Sequence, residues 1–314
     1  MEGPPFAPPH FLACYTETVR RLIVNADDFG MTTGINRAIV EGCTKGIITS
    51  STLMATSKAF DDAVVRARDL LVGKPEFSVG CHVVLLDGEP LLSPDRVSTL
   101  LEVHQNDGTG QLNTKLSGFA RSALSGKLNP DEIEAEADAQ FSLLQAAGIE
   151  PSHFDCHKHA HIFPAVLKPL LRAAKARGVR AVRNPFGRIF PFPFGRLLRS
   201  PKLWTRLAQM NMLRNFAASF RNEVLKHGLR TPDGSVGVLV TGALDASYFR
   251  CIADNLPEGT WEFVCHPGYN DAELSQVRTR LRQSREQELA VLTSVDARAA
   301  LQRRGIELIS YRDL

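Results

Sequence analysis

From Arg21 onward the chain alternates short, β-branched apolar runs with longer amphipathic ones, and this rhythm constrains the fold more than any other feature. The runs Arg21–Ala26, Ile47–Met54, Phe77–Val84, Ser152–Cys156, Val179–Arg183, Val236–Thr241, Trp261–Cys265 and Ile306–Ile309 read as strands. Between them Thr33–Lys45, closed by Gly46, and Lys58–Leu71 read as helices. So do Pro130 to about Ala147, Ala165–Arg177, Ala246–Asn255 and Gln283–Arg303. A loop rich in Gly, Asn and Asp runs from the third strand to about Gly118. About eight strands, each roughly followed by a helix, predict a parallel sheet. A closed barrel and an open doubly wound sheet both satisfy the pattern. Asp27-Asp28-Phe29-Gly30 follows the first strand where a dinucleotide fold would carry its glycine fingerprint, which argues against that fold.

The length of 314 residues suits one large α/β barrel, and 44% apolar residues suffice for its core. A net charge of +3 and few aromatics give no reason to expect nucleic acid as a partner. No uncharged apolar stretch is long enough to span a bilayer. Residues 1–20 hold four prolines and no apolar signal region, so they read as a flexible arm. Six cysteines without paired spacing, and no export signal, predict reduced thiols and a cytoplasmic location. Between Phe186 and Asn222 the chain carries seven basic residues, several Phe and Leu, and no acid. This insertion, near 186–230, reads as a solvated helix packed on the barrel or a second subunit. The competing readings are a basic cap over the site, or a face that holds the protein at the inner surface of a membrane.

Polar residues fall at strand ends. Asp27 and Asp28 end the first strand, His82 the third, Asp155 and His157 the fourth, Arg183 the fifth and His266 the seventh. In a parallel barrel these ends share one face, so the residues would converge. Asp28, His82 and His157 form a carboxylate and two imidazoles, a set that suits zinc, cobalt, nickel, manganese or iron with positions left open. Adjacent carboxylates diverge, so Asp28 is assigned to the metal and Asp27 to proton abstraction from water. If the fourth strand persists, Asp155, His157, His159 and His161 share one face. They cannot all reach one ion. His159 and His161 then line the substrate cleft or act as outer donors, and Asp155 orients an imidazole or binds a sugar hydroxyl.

These residues resemble the YdjC-like carbohydrate deacetylase family, which includes chitooligosaccharide deacetylases and a hopanoid-biosynthesis branch. The resemblance lies in LIVNADDFG (Leu22–Gly30), Gly34–Asn36, GIITSSTLM (Gly46–Met54) and GCHVVLLDGEP (Gly80–Pro90). It continues in HFDCHKHAHIFP (His153–Pro164), VCHPGY (Val264–Tyr269) and RGIELISYRDL (Arg304–Leu314), and is thin between Pro185 and Thr231. It implies a distorted TIM-like (β/α) barrel as a single domain over 21–314. It implies one divalent ion, magnesium or zinc, with cobalt, manganese or nickel as substitutes. The implied reaction is hydrolysis of the acetamide of an N-acetylated sugar, and a homodimer is plausible. By this resemblance the metal ligands fall on Asp28, His82 and His157 and the base on Asp27. His266 matches a pocket histidine and is the candidate acid for the leaving amine, while Arg183 would steady Asp27 or a substrate oxygen. Two alternatives remain: a metal hydrolase of another amide or a phosphoester, and a non-catalytic sugar- or lipid-binding barrel.

Overall fold

The computed structural model describes residues 19–102, 111–187 and 214–314. The arm through residue 18 and most of the basic insertion lie outside the described residues, and with them most of the segment for which a packed helix, a cap and a membrane face were the competing readings.

Eight parallel strands make the main sheet. They are β1 (Arg20–Phe29), β2 (Ser50–Leu53), β3 (Ser78–Val83), β6 (His153–Cys156), β7 (Ala181–Val182), β8 (Gly234–Val236), β9 (Gly259–Cys265) and β10 (Ile306–Ile309). Their order is β7-β6-β3-β2-β1-β9-β8, with β10 beside the first half of β1. The open edges are stitched rather than left bare. Val182 N–H donates to Arg230 O at 2.9 Å, Arg230 N–H to Arg180 O at 2.8 Å, and Ser235 N–H to Phe186 O at 3.2 Å. The result is a distorted (β/α) barrel.

Strand periodicity sorts the side chains. On β1, Leu22, Val24 and Ala26 pack outward into the main core, while Ile23, Asn25 and Asp27 point inward. The same alternation sends Thr52, His82, His153, Asp155 and Glu262 inside. The upper interior is therefore polar, and the apolar core lies between sheet and helices. Those helices are α1 (Thr33–Thr44), α2 (Phe60–Gly73), α3 (Leu116–Leu124), α4 (Pro130–Ala146), α5 (Pro164–Ala176), α6 (Ala217–Lys226), α7 (Ala246–Asp254), α8 (Ala272–Ser275), α9 (Gln283–Leu292) and α10 (Val295–Arg303).

Several expectations need correction. The arm ends earlier than expected, because Arg20 already belongs to β1. The strand expected over Val236–Thr241 is Gly234–Val236. Gly237 then takes φ +91°, which favours glycine, and a 3-10 turn follows. The helix expected over Gln283–Arg303 is two, since Ser294 Oγ accepts from Ala297 N–H at 3.1 Å and caps a second start. The loop expected through Gly118 contains a two-stranded ladder, β4 (Leu101–Glu102) with β5 (Gln111–Leu112), and the start of α3. Among the described residues no helix is long and apolar enough to cross a membrane.

Candidate metal centre

The site forms at the C-terminal ends of the strands, the face where barrels of this kind carry their chemistry. Asp28 reaches it through an irregularity. The β1–β2 register shifts between Ala26 and Phe29, and Asp28 adopts φ +67°. A regular strand would send Asp27 and Asp28 to opposite faces. Here both are 2% exposed at the same strand end. Gly30, at φ +100°, completes the turn, and its N–H donates to Asn36 Oδ1 of α1 at 2.7 Å.

Three ligand atoms converge. Asp28 Oδ1 lies 3.6 Å from His82 Nε2 and 3.6 Å from His157 Nδ1, and the two nitrogens are 3.3 Å apart. Bonds of about 2.0–2.2 Å at tetrahedral angles place donor atoms roughly 3.3–3.6 Å apart, so the set fits a divalent ion. His82 Nδ1 pairs with Asp155 Oδ1 at 2.7 Å, which directs Nε2 into the triad. Charge agrees. Asp27, Asp28, Asp155, Glu262 and Glu288 are buried around this end of the barrel against two buried guanidinium groups, Arg183 and Arg285. Burial disfavours the His82 imidazolium, yet Asp155, Asp27 and Asp28 outweigh it and raise the pKa to about 9. A cation in the triad would take over the work of that proton.

Asp27 stands beside the triad. Arg183 holds it with two bonds, of 2.5 and 2.8 Å, and Asn25 Nδ2 adds a third at 3.0 Å. Burial opposes ionisation, but Arg183 keeps the carboxyl well below the usual carboxylate range. His266 Nε2 is 3.7 Å from Asp27 Oδ2. Arg183 is fully buried and also pairs with Asp155 and with Glu262, the latter at 2.8 Å. Its contacts include the bidentate hold on Asp27 that the first of its two expected roles requires. Asp155 is likewise fully buried and committed to His82, Arg183 and Thr52, so it orients an imidazole and has no face left for a sugar hydroxyl.

The alternation that a longer fourth strand would carry through His161 is absent. The strand ends at Cys156, and Lys158 and His159 take φ of +53° and +56°. His159 is half-buried, with Nδ1 unpartnered, and burial with Arg183 nearby pulls its pKa down to about 3. His161 is fully buried next to Phe220 of α6. Among the described residues the only non-glycine positions with positive φ are Asp28, Asp87, Lys158 and His159. Asp87 pairs with Lys158, so all four belong to the site or its rim, where such strain gathers.

Two site residues escape a strand-end reading because they come from a helix. Arg285 Nη2 donates to Asp28 Oδ2 at 2.5 Å. Glu288 Oε2 accepts the His266 backbone N–H at 2.6 Å and lies 4.0 Å from its Nδ1. A signal existed: Arg285, Glu288, Leu289 and Leu292 follow the i, i+3, i+4, i+7 stripe of an inward helix face. Charges at two of those four positions mark a functional face.

A parallel barrel with a buried carboxylate–imidazole triad at its strand ends, beside a guanidinium-held carboxylate, defines a class of candidate metal-centre proteins. Within it, the chain belongs to the YdjC-like protein family, whose sequence model matches residues 21–303. An Enterococcus faecalis structure provisionally described as a cellobiose-phosphate cleavage protein is similar at 26% identity. The match covers 94% of this chain and 98% of that one, with a TM-score of 0.72. An uncharacterised Agrobacterium tumefaciens protein matches at 12% identity over 94% and 89% of the two chains, with a TM-score of 0.48. A Thermus thermophilus lactam utilization protein matches at 14% identity over 92% and 99%, with a TM-score of 0.45.

Proposed function

We propose that the protein is a divalent-metal-dependent hydrolase that removes the acetyl group from an N-acetylated amino sugar. The observation that carries this reading is the triad of Asp28, His82 and His157 with an ionised Asp27 beside it. A binding module has no need of a second carboxylate held ionised at its metal. Membership of the YdjC-like family, and a similar protein whose description concerns a phosphorylated disaccharide, support a carbohydrate substrate.

A zinc or magnesium ion in the triad would supply Lewis-acid activation of water and of the acetamide carbonyl. Asp27 accepts a proton from the attacking water at Oδ2, the oxygen facing His266. Arg183 fixes the Asp27 plane and keeps it ionised until then. The C–N bond breaks as His266 Nε2 delivers a proton to the departing nitrogen, leaving acetate and a free amine. Glu288, on the far side of the ring, holds His266 in place.

The test is acetate release from a panel of N-acetylated sugars by chelator-stripped protein refilled with single metals. Phosphoesters and cellobiose phosphate belong in the same panel. Metal-restored acetate release supports the reading. Phosphate or glucose release without acetate replaces it with another hydrolysis at the same centre. A protein that binds no metal rules out the triad assignment.

A further inference from the structure

Among the described residues seven buried side-chain polar atoms lack a hydrogen-bond partner. Three belong to residues around the metal centre: His159 Nδ1, His266 Nδ1 and Arg285 Nη1. Native structures keep few such atoms, and each calls for a partner such as a water, an ion or a ligand.

Arg285 is the most constrained of these. Its side chain is 1% exposed. Nε donates to Leu281 O at 3.2 Å and Nη2 to Asp28 Oδ2 at 2.5 Å, which leaves Nη1. The guanidinium is a rigid planar fork. Nη1 therefore sits beside the carboxylate whose other oxygen belongs to the triad. The stem reaches this place only because position 268 is glycine. A Cβ there would lie 2.9 Å from Arg285 Cδ and 2.9 Å from Ile35 Cγ1. The glycine of His266–Tyr269 thus opens the slot through which Arg285 enters the site.

We propose that Arg285 is a catalytic residue. Its Nη1 donates to the acyl oxygen of the substrate as that oxygen gains negative charge, and then to the acetate produced, while Nη2 fixes Asp28. A donor set in advance where charge develops is the arrangement that stabilises acyl-transfer transition states. This role rests on the deacetylation reading and goes beyond it by naming the acyl-group donor.

The test uses the full chain loaded with zinc, titrated with 13C-acetate and followed by NMR, beside kinetics on the best N-acetylated sugar. Arg285→Lys can hold Asp28 but has no second nitrogen. It is expected to keep its zinc, bind acetate at least tenfold more weakly, and lose kcat with KM little changed. Should the lysine variant fail to fold, Arg285→Gln, which keeps one amide NH2 group towards Asp28, makes the same comparison. Unchanged acetate affinity in a zinc-loaded variant overturns the role of Arg285 while leaving deacetylation intact. Wild-type protein that releases no acetate from any N-acetylated sugar overturns deacetylation, and this role with it.

Discussion

At the scale of single residues the site is an exercise in balancing buried charge. The proposed base, Asp27, can act only while ionised, and Arg183 keeps it so. Asp27→Asn should lower turnover about 10²–10⁴-fold with zinc still bound, read by acetate release beside metal content. Asp155 acts one step removed, through His82. Asp155→Asn should weaken metal affinity about 10–100-fold, measured by competition with a chelating dye. The proton on His82 gives a pH test in chelator-stripped protein. Its pKa rises from 6.5 to about 9 on folding. A raised pKa contributes stability that is full below about 6.5 and lost as pH climbs through 9. The melting temperature of the stripped protein should therefore fall across that window. Added zinc, which replaces the proton, should flatten the fall. An equally steep fall with zinc bound would place the ion elsewhere.

At the scale of elements, what was legible in the sequence divides along a physical line. Asp28, His82 and His157 could be found because a parallel barrel sends all strand ends to one face, and strand ends show as the end of an apolar run. Arg183 and Asp155 were legible as members, yet their commitment to Asp27 and His82 was not, since which partner a buried charge meets depends on neighbouring strands. The surroundings of His159 and His161 were not legible, because two left-handed residues follow the strand and nothing local announces them. Arg285 and Glu288 were hidden because the eye reads charges on a helix as solvated. The turn after β1 is a further element whose job shows only in three dimensions. Asn36 is fully buried and ties Gly30 N–H, Ala59 O and Asp62 Oδ2 together at 2.7, 3.1 and 2.8 Å. Asn36→Ala should cost about 1–3 kcal/mol in urea unfolding by leaving buried partners unmet. It should also weaken zinc binding, since Asp28 stands in that turn.

At the scale of the whole molecule one buried network runs along the barrel interior. Tyr311 stacks on His153 with ring centres 3.6 Å apart and donates its hydroxyl to Glu262 Oε2 at 2.6 Å. Glu262 holds Arg183, and Arg183 holds Asp27. Burial pushes the Glu262 pKa up, so its charge depends on these two partners. Tyr311→Phe should destabilise the protein by about 1–3 kcal/mol and slow turnover through Glu262 and Arg183, read from urea midpoints and kcat. The network also sets an order of events during synthesis. Asp27 leaves the ribosome 284 residues ahead of Tyr311, which with β10 completes its support. At about 5–20 residues per second the wait is roughly a quarter-minute to a minute. For that time the first half of β1 lacks its β10 neighbour and the aspartates lack a finished interior. Until Tyr311 has been made, Glu262 lacks one of the two partners on which its charge depends, and the hold of Arg183 on Asp27 is incomplete.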